Sequence, residues 1–272
     1  MSDLSYRGFE LDAETALALL QWQVELGADE PCLDAPIDRF EEAKADAAQR
    51  ATATAASQPF IQQAPSLPLD EGPDYPALAR QAAASASSLG DLATAMEGFE
   101  GLEIRKGARN FCFADGNPKA RVMIIGEAPG EEEDRQGLPF VGRAGQLLDR
   151  MFAAIGLSRS DVDAEKAIYI TNVLPWRPPG NRTPTPEEIA MMLPFLERHV
   201  ELASPDLLVL MGNTPCQAVL NRTGILRLRG NWQEVFGRPA MPMTHPAYLL
   251  RTPLAKREAW TDLLTLNAKL RG

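Results

Sequence analysis

The chain has 272 residues, of which 45% are hydrophobic and 24% charged, and its formal net charge is −10. This length accommodates one α/β domain with an appendage, and no apolar run approaches the ~20 residues of a membrane helix. The acidic start, Met1-Ser2-Asp3, argues against a secretory signal. Three widely spaced cysteines without a C-x-x-C pair indicate reduced thiols, so we expect a cytoplasmic protein.

The charge is unevenly distributed along the chain. Residues 1–100 carry 18 acidic and 5 basic side chains, a net charge of −13. Residues 101–170 are nearly neutral at −1, and residues 171–272 carry +4. An acidic protein disfavours nucleic-acid binding, but attraction to phosphate depends on the contacting face, so the basic last third keeps this class open. Ordinary surface charge is the simpler interpretation of the same numbers.

The N-terminal third divides by composition. Residues 1–50 form an acidic region, and its start is predicted to be one amphipathic helix over 1–25 because leucines and a valine recur at helical spacing. These residues are Leu11, Leu17, Leu20 and Val24. A proline-rich linker is predicted over 51–76. A short helical lead-in over 77–97 follows, and the compact domain is predicted over 98–272.

Strands and helices alternate along the compact domain, which predicts a parallel sheet with helices on both faces. The predicted strands are 121–127, 169–174 and 206–211, and a return to the sheet is predicted within 232–243. The predicted helices are 143–155, one opened by Thr185-Pro186-Glu187-Glu188, 213–220 and 253–270. The second helix has a threonine cap, a proline at its first position and acidic side chains at the positive end of its dipole.

Three of the predicted strands end in polar segments. The first is followed by Gly126-Glu127-Ala128-Pro129-Gly130, the second ends at Asn172, and the last is followed by His245. In an open parallel sheet such ends converge on one crevice, where ligands bind. A carboxylate, an amide and an imidazole, with the ring of Phe140, suffice to hold a planar heterocycle and cut a bond to it.

The first of these loops has two interpretations. Gly126 and Gly130 let the backbone approach a ligand closely, and Gly126 and Ala128 are candidate substrate-binding residues. The spacing, however, fits no phosphate loop, and the acidic run 131–134 would repel phosphate. A neutral-base pocket, or a carboxylate at Glu127 beside developing positive charge, is one interpretation; a tight turn with a solvated acidic surface is the other. Phe140 either stacks on a flat ligand or belongs to the core.

The amide and the imidazoles also have alternatives. Asn172 could read a uracil edge, with its NH₂ directed to O4 and its carbonyl to N3–H, a pattern that cytosine reverses; capping a strand end is its common structural use. His245 precedes a proline in a loop, where a neutral imidazole could donate to a leaving anion. His199 lies on a predicted helix, and we expect it to be partly exposed and structural.

Two segments are candidates for contacts with a phosphate backbone. Arg177 and Arg182 lie in a rigid basic loop that could follow a phosphate backbone. An ordinary surface loop is the alternative interpretation. The residues after His245 combine apolar side chains with a cation, which suits a wedge pushed into a base stack beside phosphates. They are Tyr248, Leu249, Leu250 and Arg251.

Together these segments resemble family 4 uracil-DNA glycosylases over roughly residues 98–270. The most specific segments are 126–134, 139–145, 170–188 and 245–251. The resemblance implies a three-layer α/β sandwich with a four-stranded parallel sheet and hydrolysis of the N-glycosidic bond of deoxyuridine in DNA. It also implies roles for the site residues. Asn172 would recognise uracil, Phe140 would stack on it, Glu127 would hold or activate water or only shape the pocket, and His245 would stabilise the departing anion.

The sequence departs from that family at the iron–sulfur cluster. Family members usually hold the cluster with four cysteines, but the corresponding positions here are apolar, so no thiolate remains to bind iron. These positions are Phe99, Leu102, Trp176 and Met192. We therefore expect no metal and no cofactor, and we expect the four side chains to pack as a hydrophobic cluster instead.

The sequence predicts a monofunctional enzyme that leaves an abasic site, since the three motif segments contain no lysine for a Schiff base. Its expected partner is uracil-containing DNA, which it binds as a monomer away from membranes. One alternative is a non-catalytic or altered-specificity DNA-binding member of the superfamily. Another makes residues 1–97 an acidic arm that recruits a protein partner.

Overall fold

The computed structural model describes residues 73–272 and, nearer the N-terminus, residues 5, 6, 9, 10, 15, 17, 18 and 21. The chain divides into two compact units, Met1–Leu69 and Asp70–Gly272. No helix in the described part of the chain is long and apolar enough to cross a bilayer. The predicted linker over 51–76 lies outside the described residues except at its end, where residues 73–76 lead into a helix.

The first unit corrects one prediction. Two short strands, β1 (Ser5–Tyr6) and β2 (Phe9–Glu10), pair antiparallel where the sequence predicts the start of a helix. Helical residues are described only at 15, 17, 18 and 21. The prediction weighed leucine spacing and overlooked the aromatic residues Tyr6 and Phe9, which favour paired strands. Leu11, Leu20 and Val24 lie outside the described residues.

The second unit is built on a six-stranded sheet of order β3-β5-β4-β6-β8-β7. Its four central strands are parallel, and the two outer ones, β3 and β7, pair antiparallel with their neighbours. The strands are β3 Ala114–Gly116, β4 Val122–Gly126, β5 Ile168–Asn172, β6 Leu207–Met211, β7 Gln233–Val235 and β8 Arg238–Met243. The predicted four-stranded parallel sheet is confirmed, with two short edge strands added to it.

Nine α-helices are described in the second unit, and three short 3₁₀ turns accompany them. The helices are α1 Tyr75–Ser85, α2 Leu89–Gly98, α3 Glu131–Gln136, α4 Arg143–Ala153, α5 Pro186–Ala203, α6 Asn213–Leu220, α7 Ile225–Leu228, α8 Pro246–Arg251 and α9 Lys256–Arg271. The 3₁₀ turns are Glu103–Gly107, Pro179–Asn181 and Pro253–Ala255. Helix α5 begins as predicted, because Thr185 and Glu188 form a capping box.

The central strands are apolar on both faces because helices cover both sides of the sheet. Side chains alternate along each strand: Met123 and Ile125 belong to one hydrophobic core, whereas Val122 and Ile124 belong to the other. The α/β sandwich is thus held by two cores, one on each face of the sheet. The parallel strands all end at the same edge, which is where the polar segments of the sequence meet.

The two helices before residue 98 belong to this unit. Helices α1 and α2 pack against α5, and Ala79, Ala83 and Leu92 are fully or almost fully buried in the same core as the sheet. Asp74 caps α1 by accepting from the N–H of Ala77. The lead-in helices therefore belong to the same compact unit as residues 98–272. The predicted functional division of the chain stays a prediction.

The four positions at which family members carry the cysteines of an iron–sulfur cluster all belong to one hydrophobic core here. Phe99, Leu102, Trp176 and Met192 are all buried in one hydrophobic cluster. The ring of Phe99 packs edge-on against Phe195 at 5.4 Å between centroids. These side chains offer no thiolate, so the residues present do not fit an iron–sulfur cluster.

The described cysteines are placed elsewhere in the core. Cys112 and Cys216 are buried and unpaired, and burial raises the pKa of each thiol to about 12. Within the described ranges, no three or more histidine, cysteine, aspartate or glutamate side chains are placed so that they could hold one metal ion. Cys32 lies outside the described residues.

Candidate active site

A cleft of about 750 Å³ opens where the parallel strands end. Its lining includes Glu127 after β4, Asn172 at the end of β5, His245 after β8, and Phe140. Residues from three different strand ends thus meet in one cavity, together with an aromatic ring from the loop before α4. The sequence predicts that these four side chains converge, and in the structure they do.

Gly126 makes the close approach of two of these side chains possible. A Cβ atom at this position would lie 2.3 Å from Asn172 Oδ1 and 2.4 Å from Phe140 Cε2. The amide oxygen and the ring therefore converge on the space above this glycine, where no larger residue fits without moving them. Ala128, the other small residue predicted here, also lines the cleft.

The Asn172 side chain has a hydrogen-bond acceptor that no described residue of the protein satisfies. The residue is 6% exposed, and its Oδ1 atom is buried without a hydrogen-bond partner. A buried acceptor left unpaired costs roughly 1–3 kcal/mol, so such an atom in a native structure calls for an explanation. Because it lies in the cleft, a bound molecule with an N–H group would satisfy it.

Phe140 is held in a conformation that L-residues rarely adopt. Its φ angle is +53°, in the left-handed region. Arg159 fixes this conformation by donating to the Phe140 carbonyl at 2.8 Å and to the Pro139 carbonyl at 3.0 Å. The same guanidinium is paired with Asp115 and Asp149 at 2.9 and 2.8 Å. The carbonyl side of the Phe140 loop is therefore anchored by a largely buried cation.

Glu133 anchors the other side of the same loop. Its carboxylate accepts from the backbone N–H groups of Val141 and Gly142 at 3.0 and 2.8 Å and from Gly130 at 3.2 Å. The acidic run after the first strand is therefore not only a solvated surface, since one member ties two cleft loops together. Asp134, also buried, accepts from the N–H of Arg109 at 2.8 Å.

The tautomer of His245 follows from its own helix. His245 caps α8, and its Nδ1 atom accepts from the N–H of Ala247 at 3.1 Å. A neutral imidazole with Nδ1 as acceptor carries its proton on Nε2. Burial, assisted by the positive charge of Arg251, lowers the pKa of His245 to about 4. The ring stacks on Phe140 at 5.5 Å between centroids, so a neutral N–H donor stands beside the aromatic face.

The Glu127 carboxylate is oriented by a neighbour from another strand end. Thr214, in the first turn of α6, donates its hydroxyl to Glu127 Oε2 at 2.6 Å. A hydrogen bond to a charged acceptor is worth about 1.5–3 kcal/mol, enough to fix the side chain. One carboxylate oxygen is thus committed to the protein.

The other histidine is structural, but more deeply buried than predicted. His199 is 1% exposed, not partly exposed, because α5 lies directly over the sheet. Its Nε2 atom and the Tyr169 hydroxyl are 2.9 Å apart, and its ring stacks on Phe113 at 4.4 Å. Burial lowers the pKa of His199 to about 3, which keeps the ring neutral.

The predicted wedge after His245 is only partly available to a ligand. Tyr248 and Arg251 line the cleft, and Leu250 is half-buried. Leu249 is 1% exposed and packs into a small cluster with Leu147. It occupies the inner face of the helix formed by residues 246–251, so its contact with DNA stays a prediction.

The two arginines of the basic loop are paired within the protein. Arg177 donates to Asn181 at 2.7 Å and lies 3.6 Å from the carboxylate of Glu131. Arg182 makes two hydrogen bonds to Glu188, at 2.8 and 2.6 Å, and these raise its pKa. Arg182 thus supports the capped start of α5, and its side chain is exposed, whereas Arg177 is half-buried.

Four side chains shape the cleft although the sequence analysis assigned them no individual role: Glu133, Arg159, Thr214 and Thr244. Glu133 had a detectable signal, because it is the third residue of a helix that begins after Gly130. Thr244 neighbours His245, lines the cleft, and has a buried hydroxyl without a partner. Arg159 and Thr214 had none, since their partners are 19 and 87 residues away in the chain.

The fold and the cleft define an α/β protein with a cavity at the carboxyl edge of a parallel sheet, lined by a carboxylate, an amide, an imidazole and an aromatic ring. Comparison with known proteins agrees. The family model of the uracil DNA glycosylase superfamily matches residues 113–264. A type-4 uracil-DNA glycosylase of Archaeoglobus fulgidus is 39% identical over 184 residues, which are 64% of this chain and 89% of that protein. One from Thermotoga maritima is 43% identical over 147 residues, 52% of this chain and 72% of that protein.

A similar segment also occurs within a larger protein. The DNA polymerase of Bacillus phage SP01 is 32% identical over 157 residues, 58% of this chain but 16% of the polymerase. On the extent of these matches, the chain belongs to the uracil-DNA glycosylase superfamily and, within it, to the type-4 branch. The recognition made from the sequence motifs is confirmed.

Proposed function

We propose that the protein is a monofunctional uracil-DNA glycosylase that hydrolyses the N-glycosidic bond of deoxyuridine in DNA and leaves an abasic site. The observation that carries this proposal is the unpartnered, buried Oδ1 atom of Asn172 beside the ring of Phe140 and the N–H donor of His245. Relatives that share the fold are named for this activity.

Asn172 selects uracil by complementarity at two neighbouring groups. Its Oδ1 accepts from N3–H, and its amide NH₂ donates to O4. Cytosine has an unprotonated N3 and an amino group at these positions, so its binding would leave buried polar groups unpaired on both sides. Such mismatches are rejected strongly because both partners have lost water. Phe140 supplies the flat surface on which either base would stack.

His245 stabilises the leaving group. As the glycosidic bond breaks, its electron pair moves to the uracil ring, and negative charge develops on the carbonyl oxygens O2 and O4. The Nε2–H group of the neutral imidazole donates to that charge, and removing one preorganised donor of this kind costs ~2.7–4 kcal/mol in other enzymes. The low pKa of His245 keeps this donor in one protonation state at neutral pH.

Glu127 acts on the sugar side of the bond. Cleavage passes through an oxocarbenium-like sugar, beside which a carboxylate is favourable, and the same group positions the water that completes hydrolysis. Thr214 holds one carboxylate oxygen, which leaves the other for this task. None of the described residues that line the cleft is a lysine, so the cleft offers no amine for a Schiff base.

DNA must present the base outside the helix. A uracil inside a stacked duplex cannot reach the edge of the sheet, so the nucleotide swings out into the cleft. Tyr248 and Arg251, at the cleft wall, contact the strand that remains. We assign the protein to the cytoplasm as a monomer, and we keep a protein partner for the acidic residues 1–97 as a proposal.

The enzyme works without an iron–sulfur cluster in this proposal. The apolar side chains at the four corresponding positions connect the same segments by packing, at about 1.5–3 kcal/mol for each large side chain buried. Iron and sulfide analysis, with an absorbance scan near ~400 nm on protein purified with and without air, tests this. The expected result is no stoichiometric iron in either preparation. Stoichiometric iron and sulfide would overturn it.

The activity itself is tested by alkali-dependent nicking of a labelled oligonucleotide that contains one uracil. The unaltered protein should release uracil, and His245→Ala and Asn172→Ala should each be slower by about 10²–10³-fold. DNA binding without uracil release at enzyme excess would favour the non-catalytic alternative. Release of hypoxanthine, xanthine or mispaired thymine in its place would favour altered specificity.

A further inference from the structure

One part of the cleft wall has no role in the proposed reaction. The segment 224–229, here called the Leu226 turn, contributes Ile225 and Leu226 to the lining of the cleft. It includes the short helix α7 and lies between α6 and β7 in the chain. Nothing in the sequence motifs singled it out.

The Leu226 turn is fixed at its start. Asn213 Oδ1, from the first turn of α6, accepts from the N–H of Gly224 at 3.1 Å and from that of Ile225 at 2.9 Å. Gly224 has φ +92°, which a residue with a side chain would adopt only with strain. This end of the turn is therefore tied to the edge of the sheet.

The far end of the turn is also fixed. Leu228 is buried in the main core. Arg229 makes two hydrogen bonds to the buried carboxylate of Asp262, at 2.9 and 2.5 Å. The backbone between Gly224 and Arg229 is therefore held at both ends, and two of the four side chains between these anchors, Leu226 and Arg227, point outward from a stiff support.

Those two side chains are exposed. Leu226 is 57% exposed at the mouth of the cleft. Arg227 is exposed, and no carboxylate of the described residues lies within 4.0 Å of it. A single exposed leucine is ordinary, but this one lines the cavity that receives the substrate. It is followed directly by an unpaired cation, in the same order as Leu250-Arg251.

We propose that the Leu226 turn is a second DNA-contacting element, in which Leu226 packs against the base beside the everted nucleotide and Arg227 binds a neighbouring phosphate. This inference rests on the proposed glycosylase function. Apolar side chains inserted at a base step unstack it, and adjacent cations bind the backbone at the same place. The burial of Leu249 strengthens the inference, because it removes one apolar residue from the wall formed by α8.

The first test compares Leu226→Ala and Leu226→Gln with Leu254→Ala. Leu254 is 91% exposed and does not line the cleft. Leu254→Ala is therefore the control, because it makes the same substitution at an exposed leucine outside the cleft. Single-turnover uracil release is measured on single-stranded DNA and on duplexes with uracil opposite adenine or guanine. Thermal melts confirm that each variant is folded.

The expected result depends on how much stacking must be opened. Both Leu226 variants should lose roughly tenfold on the uracil–adenine duplex, which corresponds to about half the value of burying a leucine side chain. The loss should be smaller on the mispair and smallest on single strands, where less unstacking is needed. Leu254→Ala should match the unaltered protein on all three substrates.

The second test concerns Arg227. Binding of a labelled abasic duplex is measured against salt for Arg227→Ala and for Arg80→Ala, a matched exposed arginine on α1. Loss of one phosphate contact should lower the slope of log affinity against log salt by about 0.9 in Arg227→Ala. Arg80→Ala should keep the slope of the unaltered protein.

Several outcomes overturn the inference, and they differ from failure of the proposed function. Uracil release by the unaltered protein with equal rates for Leu226→Ala and Leu254→Ala would remove the turn from the DNA interface. A changed sedimentation coefficient in Leu226→Gln with unchanged release would assign the turn to contact with a second copy of the chain. No uracil release by the unaltered protein would overturn the proposed function, and this inference with it.

Discussion

Gly126→Ala is the substitution whose effect follows most directly from the geometry of the cleft. The new methyl group would lie 2.3 Å from Asn172 Oδ1 and 2.4 Å from Phe140 Cε2, whereas ordinary contacts begin near 3.4 Å. The amide oxygen and the ring must therefore each move by about 1 Å away from the new methyl group. They cannot separate freely, because Asn172 ends a buried strand and Phe140 is held through its backbone by Arg159.

Two magnitudes follow from that displacement. Overpacking by one methyl group costs about 1–3 kcal/mol of stability, which leaves a domain of this size folded. Misplacing a reacting or positioning group by about 1 Å costs on the order of 10²-fold in rate, or about 2.7 kcal/mol in the barrier. Gly126→Ala should thus lose far more activity than stability.

The assay is single-turnover uracil release with a thermal melt on the same preparations. Gly98→Ala is the matched control, since a Cβ atom there would meet nothing within 4 Å and the backbone is not in the left-handed region. It should keep the rate of the unaltered protein. A Gly126→Ala enzyme as fast as the unaltered protein would refute the reasoning, because Asn172 and Phe140 would then not act at the spacing observed.

Three further predictions concern single groups of the cleft. Asn172→Asp should shift activity from uracil toward cytosine, because a carboxylate accepts from the cytosine amino group; unchanged rates on both bases would show that Asn172 does not read the base edge. Thr214→Val should lower the rate about tenfold with little change in KM, since Glu127 loses its charged hydrogen bond of about 1.5–3 kcal/mol, and an unaltered rate constant would speak against that role. With a folded-state pKa of about 4, His245 should contribute no inflection to kcat/KM between pH 5 and 8, and a step near pH 6.5 that disappears in His245→Ala would contradict the neutral imidazole. The same shift makes the unfolded chain bind the extra proton, so His245 should reduce stability as pH falls from about 6.5 toward 4, by at most about 1.4 kcal/mol per pH unit; denaturation at stepped pH measures it.

The long elements could be predicted from sequence because their signals are local. Strands β4, β5 and β6 are continuous apolar runs, and α5 begins with a threonine cap followed by proline and two glutamates. The elements that were missed are short: β3 and β7 have three residues each, and α7 has four. Their stability comes from pairing and packing with distant parts of the chain, so a local pattern does not reveal them.

The positions of the main cleft residues could also be predicted from sequence, whereas the contacts that support them could not. Glu127, Asn172 and His245 follow strands, and parallel strand ends meet at one edge, so topology alone brings them together. The supporting contacts were not predictable, because Arg159 and Thr214 reach their partners only in the folded chain. The burial of Leu249 was not predicted, because the residues after His245 were interpreted as a loop and not as a helix. In a helix, positions 246 and 249 share a face, and both are buried.

The most direct measurement is a crystal structure of the protein with its product, free uracil. Uracil is expected in the cleft with its N3 about 2.7–3.2 Å from Asn172 Oδ1 and its ring stacked on Phe140. One of its carbonyl oxygens should lie within the same hydrogen-bond distance of His245 Nε2. Uracil found elsewhere, or held in the cleft with Asn172 Oδ1 still unpaired, would contradict the account.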